Sequence, residues 1–132
     1  MQTDAATSEK IKVLVTDDDA ELRDVICRFL ELADHEPIEA SNGVECIKQL
    51  RANKDVQLLV LDVIMPEQEG IETLTQVREE FPQLKLLMVS GGGRTQAGDY
   101  LNMAKSLGAH ETLAKPFRAE QFLDTVNRLL EA

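Results

Sequence analysis

Apolar residues in this chain follow two rhythms that alternate from end to end. Short unbroken runs predict strands buried on both faces, and returns every three or four positions predict helices. The first run, residues 11–16, holds Ile11, Val13, Leu14 and Val15 and ends in Asp17-Asp18-Asp19. From Ala20 the period changes. Leu22, Val25, Ile26, Phe29, Leu30 and Ala33 make a helical stripe, and Asp19 is placed to cap it. Residues 36–40 read as a weak strand, with Pro37 suited to a sheet edge. Asn42-Gly43 then turns the chain into a short helix carrying Val44, Ile47 and Leu50. Leu58, Leu59, Val60 and Leu61 run straight into Asp62.

The same alternation continues beyond Asp62. Residues 70–81 place Ile71, Leu74, Val77 and Phe81 on one stripe, which Pro82 ends. A strand over 84–89 leads into Ser90-Gly91-Gly92-Gly93. Tyr100, Met103, Ala104 and Leu107 mark a fourth helix over 99–107, stopped by Gly108. Residues 112–114 are a short last strand before Lys115-Pro116-Phe117. The final helix, 119–130, turns Phe122, Leu123, Val126, Leu129 and Leu130 inward. Strands alternating with helices in this way require parallel crossovers, which are right-handed almost without exception. The chain therefore reads as one α/β domain over 10–132, a five-stranded parallel sheet with helices on both faces, after a polar tail over 1–9.

Composition narrows the function classes. With 132 residues there is room for one domain with a real core. A formal net charge of −10 argues against non-specific nucleic-acid binding and against docking on an anionic membrane. No stretch approaches a membrane span, and residues 1–9 lack the apolar centre of a signal peptide, so a cytoplasmic protein is expected. Cys27 and Cys46 fall in helical segments without metal-ligand spacing and read as reduced, partly buried thiols. His35 and His110 lie in turns and read as solvated loop residues, and Glu67 and Glu69 as solvated charges.

The unusual polar residues gather on one edge. Asp17 and Asp18 follow strand one, Asp62 ends strand three, Ser90 ends strand four and Lys115 follows strand five. In a parallel sheet these carboxyl ends share one edge, where ligands bind. Clustered carboxylates repel unless a cation neutralises them, and an oxygen-only ligand set suits Mg²⁺. A carboxylate beside Mg²⁺ can take a phosphoryl group, whose oxygens then want a Lys and a hydroxyl donor.

With Asp17-Asp18, Asp62, Met65-Pro66, Ser90 and Lys115-Pro116-Phe117 in this order, the chain resembles the receiver domain of two-component response regulators, the CheY-like family. The resemblance runs from about residue 10 to the C-terminus. It implies a flavodoxin-like strand order 2-1-3-4-5. It implies that Asp62 is the phosphoacceptor, and that Mg²⁺ is held by Asp17, Asp18, Asp62 and the backbone carbonyl of Ile64. Ser90 would bond the phosphoryl group and Lys115 would pair with it. The donor would be a histidine kinase or histidine phosphotransfer protein, and the chain would catalyse only its own phosphorylation and dephosphorylation. A cis bond between Lys115 and Pro116 is expected, because it would aim Lys115 back at Asp62.

Two departures bear on readout. Thr112 stands where the family often carries an aromatic switch residue, and the segment after Ser90 is long, with three glycines. The switch is therefore expected to run from Ser90 through residues 91–98 into the fourth helix. An unknown protein target would read the surface of that helix, the last strand and the last helix. A stand-alone regulator is the leading version. A receiver cut from a larger transcriptional regulator or hybrid kinase, and a phosphorelay shuttle, are the alternatives. An aspartyl-phosphate phosphatase of the haloacid dehalogenase type fits poorly, because neither Asp17 nor Asp62 is followed by the required Asp and Thr. A flavin carrier fits poorly too, since three aspartates after strand one would repel a phosphate.

Overall fold

A computed structural model describes residues 10–62, 67–90, 105 and 108–131. Among them β1 (Lys12–Thr16), α1 (Ala20–Leu32), β2 (Glu36–Ala40), α2 (Gly43–Ala52) and β3 (Val56–Asp62) come first. They are followed by α3 (Glu67–Glu80), β4 (Lys85–Ser90), β5 (Glu111–Ala114) and α4 (Ala119–Glu131). The strands form one parallel sheet in the order β2-β1-β3-β4-β5, as the resemblance implied. The residues expected to form the fourth helix lie outside the described set except Lys105, which is helical. Gly108 follows at φ +121°, and a Cβ there would meet the Arg78 side chain at 2.8 Å, so this stop requires glycine.

Alternation along each strand splits the interior in two. Leu14, Leu59, Leu61, Leu86 and Met88 point to one face and pack with Cys46, Ile47 and Leu50 of α2 and Leu74 and Val77 of α3. Val13, Val15, Leu58, Val60, Leu87 and Val89 point to the other, against Ile26 and Leu30 of α1 and Phe122 and Val126 of α4. Phe122 is fully buried, stacks on Phe117 at 5.6 Å and meets Phe29 at 6.1 Å. β3 lies between β1 and β4 and supplies both cores. Truncating Leu59 or Leu61 to Ala would cost about 2–5 kcal/mol.

Helix faces depart from the apolar stripes in detail. Val25 and Val44 face solvent, Val44 being 71% exposed, while Cys27, Gly43 and Cys46 take the inward positions. Asn42 is the N-cap of α2, accepting from the Glu45 amide, so the first inward residues come earlier than Val44 suggested. α3 starts at Glu67, three residues before the expected position, because Glu67-Gln68-Glu69 carries no apolar signal. β2 is an edge strand and contains Pro37, opposite Val13.

Candidate functional site

The carboxyl edge of the sheet is built from strand ends in register. Thr16 of β1 lies beside Leu61, Asp62 beside Val89 of β4, and Ser90 beside Ala114 of β5. The residues that follow β1 and β5 are therefore delivered next to the last residue of β3. Asp17 is 1% exposed and Asp62 3% exposed, whereas Asp18 is open to solvent. The Lys115 ammonium, on a side chain 15% exposed, lies 3.2 Å from Asp17 Oδ2 and 3.5 Å from Asp62 Oδ2. The Lys115–Pro116 peptide is cis.

Asp17 is held at every polar group. Its amide donates to the Ala40 carbonyl at 3.2 Å, tying the end of β1 to the end of β2. Its Oδ1 accepts from the Asp19 amide at 2.9 Å and its Oδ2 from Lys115. Its carbonyl accepts from Arg23 Nη1 at 2.6 Å. Asp19 in turn caps α1, accepting from the Glu21 and Leu22 amides, as its position in the sequence suggested.

One oxygen from each of Asp17, Asp18 and Asp62 falls within 4.8 Å of the others. Among the described residues, three carboxylates face one ammonium, an excess of negative charge that a divalent cation would balance. The donors are all oxygen and one of the three residues is open to water. This set fits a hard cation such as Mg²⁺, which keeps part of its hydration shell. Of the other expected site positions, the Ile64 carbonyl, the Ser90 side chain and the segment 91–98 lie outside the described residues. Thr112 is half-buried in β5, opposite Met88 of β4.

Among the described residues, the two cysteines take no part in the carboxylate cluster. Burial pushes the Cys27 thiol up to about 12 and the Cys46 thiol up to about 11, so both are inert core residues, more enclosed than expected. His110 is more than a solvated loop residue. Its Nδ1 accepts from the Leu86 amide at 3.1 Å, and its own amide donates to the Leu86 carbonyl. Arg23 and Glu39 gave no signal in the sequence, where each looks like an ordinary surface charge, yet their guanidinium–carboxylate pair at 2.8 Å abuts Asp17.

Comparison with known proteins gives a consistent picture. The sequence model of the response regulator receiver domain matches residues 13–127. The chemotaxis protein CheY of Listeria monocytogenes is 33% identical over 119 residues, covering 89% of this chain and 97% of that protein. The transcriptional regulatory protein CpxR homolog of Haemophilus influenzae is 32% identical over 121 residues, covering 90% of this chain and 50% of that protein. The crystal structure of a response regulator from Thermotoga maritima matches with a TM-score of 0.83 at 26% identity, covering 94% of this chain and all of that one (100%).

Proposed function

This chain belongs to the response regulator receiver domain family of two-component signalling, and from that premise we propose that it is switched by phosphorylation of Asp62. The observation that carries the reading is the Lys115 ammonium bridging two buried carboxylates, with a third carboxylate beside them. In the transfer, an Asp62 oxygen forms a bond to phosphorus as the bond to a donor imidazole nitrogen breaks. The product is an acyl phosphate, and the released imidazole belongs to a histidine kinase or histidine phosphotransfer protein. Asp17, Asp18 and Asp62, with the Ile64 carbonyl, would hold Mg²⁺. Such an ion supplies positive charge against the phosphoryl oxygens.

Lys115, at the start of the β5–α4 connection, lies between Asp17 at 3.2 Å and Asp62 at 3.5 Å, and would pair with the new negative charge on the phosphoryl group. Ser90, at the end of β4, would bond the phosphoryl group from the neighbouring strand. With Thr112 in place of a ring, readout would run from Ser90 into the segment behind it. The helix expected over 99–107, with β5 and α4, would form the surface that a protein target reads. Among the described residues no helix is long and apolar enough to cross a membrane.

Acetyl phosphate with Mg²⁺ should give an acid-stable, base-labile adduct on the wild-type chain, and Asp62→Asn should abolish it. An identical adduct on Asp62→Asn would place the acceptor elsewhere.

A further inference from the structure

The acidic edge depends on more than its carboxylates. Arg23 lies one turn into α1, and its side chain is 16% exposed. Its Nη1 donates to the Asp17 carbonyl at 2.6 Å, and its Nε donates to Glu39 Oε1 of β2 at 2.8 Å. That carbonyl belongs to the peptide joining Asp17 to Asp18. Rotation there would swing Asp18 away from Asp17 and Asp62. The Asp17 amide is already fixed on Ala40 of β2, so β2 and α1 together clamp both peptides flanking Asp17.

We propose that Arg23, anchored by Glu39, is a positioning residue that holds the Asp17–Asp18 peptide in the orientation that presents both carboxylates to a divalent cation. The inference rests on the cation site proposed above and adds to it a residue that touches neither metal nor phosphoryl group. Simple electrostatics predicts the opposite effect. A guanidinium beside an acidic cluster repels a cation, so removing it would tighten cation binding. The geometry argues that orientation dominates. Glu39 neutralises the guanidinium, which cancels most of its repulsion at a distance, while the hydrogen bond to the Asp17 carbonyl keeps its full directional strength. Lys would replace it only in part, because an ammonium has no planar fork to span the Asp17 carbonyl and the Glu39 carboxylate together.

The test is calorimetric titration of the full chain with Mg²⁺, comparing wild type with Arg23→Gln, Arg23→Lys and Glu39→Gln. Thermal melts without metal check that each variant is folded. Arg23→Gln should weaken Mg²⁺ binding about 10–100-fold, as loss of a residue orienting metal ligands does. Arg23→Lys should fall between it and wild type, and Glu39→Gln should weaken binding a few-fold. Saturating Mg²⁺ should restore the maximal rate of Asp62 phosphorylation by acetyl phosphate in Arg23→Gln, moving the half-saturating Mg²⁺ concentration and not the ceiling. Mg²⁺ affinity in Arg23→Gln equal to or tighter than wild type would overturn the proposal. Should Arg23→Gln not fold, wild-type affinity in Arg23→Lys would overturn it equally. A wild-type chain that binds no Mg²⁺ would instead overturn the cation site itself, and this proposal with it.

Discussion

The two edges of the sheet handle charge in opposite ways. At the amino edge, charges come in dedicated pairs at the surface: Lys12 with Asp55 at 2.8 Å, and Arg51 with Glu80 through two bonds at 2.6 and 2.8 Å. The hydrogen bond from Lys12 holds the Asp55 carboxyl below its ordinary range, and the bonds from Arg51 do the same for Glu80. Arg78 closes the same edge, donating to the Leu84 and Pro82 carbonyls at 2.7 and 2.8 Å. At the carboxyl edge, two buried carboxylates share one ammonium and a third stands beside them. The amino edge is arranged so that the fold satisfies itself. The carboxyl edge instead gathers like charges into one place, an arrangement that a cation would balance.

The largest effect should come from Lys115→Met. It removes the cation facing Asp17 and Asp62, and breaking a buried ion pair in this way costs about 3 kcal/mol. Metal-free Lys115→Met should therefore melt well below wild type, and Mg²⁺ should raise its melting temperature more than it raises that of wild type. For wild type, Mg²⁺ at a hundredfold excess over its Kd adds about 2.7 kcal/mol. Equal Mg²⁺ shifts in the two proteins would mean that Lys115 and the cation do not answer the same charge.

Arg78→Met sharpens the contrast from the other side. Losing two charge-assisted hydrogen bonds to carbonyls should cost about 2 kcal/mol by denaturant unfolding. Mg²⁺ affinity should stay at the wild-type value, because the amino edge takes no part in the site. A changed affinity would show that the edges are coupled through the sheet.

The smallest effect belongs to His110. Partial desolvation, with the Arg78 and Lys85 charges, pushes its ring below the ordinary 6.5. Between the folded and unfolded values the unfolded chain binds more protons, so acid favours unfolding. The His110 contribution is complete above 6.5 and is lost as pH falls through the folded value. Water screens this exposed ring, so the loss should be a fraction of a kcal/mol. Melting between pH 7.5 and 5.5 should show a shallower acid slope in His110→Gln than in wild type. An unchanged slope would assign the acid sensitivity to other groups.

Much of this architecture was legible because each strand is a continuous apolar run ending in a chemically distinct residue. Asp62 after Leu61 and Lys115 after Ala114 mark strand ends directly, and parallel connection then brings those ends together. What escaped had a physical reason in each case. Asp17 and Asp18 are adjacent and identical in type, so nothing in their order says that one is buried and the other solvated; the Asp17 bond to Ala40 of β2 decides it. Arg23 and Glu39 are sixteen positions apart and meet only because β2 lies next to β1. His110 looked like a turn residue because its partner, the Leu86 amide, is a backbone group on another strand. Val44 lies three positions before Ile47 and so reads as part of its stripe, but the buried face is Gly43, Cys46, Ile47 and Leu50, spaced i, i+3, i+4 and i+7, which leaves Val44 outside it.

The place of Pro37 also bears on whether a second copy of this chain could pair with the sheet. A bare sheet edge is a template on which a second chain can lay a strand. β2 offers a poor one: Pro37 has no amide hydrogen to donate, and the exposed Glu36 and Glu39 confront an incoming chain that itself carries a formal charge of −10. The same short strand that steadies Asp17 through Ala40 and anchors Arg23 through Glu39 thus resists stacking with its own kind. Replacing Pro37 with a β-branched residue would extend the template and invite ribbon-like self-association, most readily at high salt, where the charge that keeps copies apart is screened.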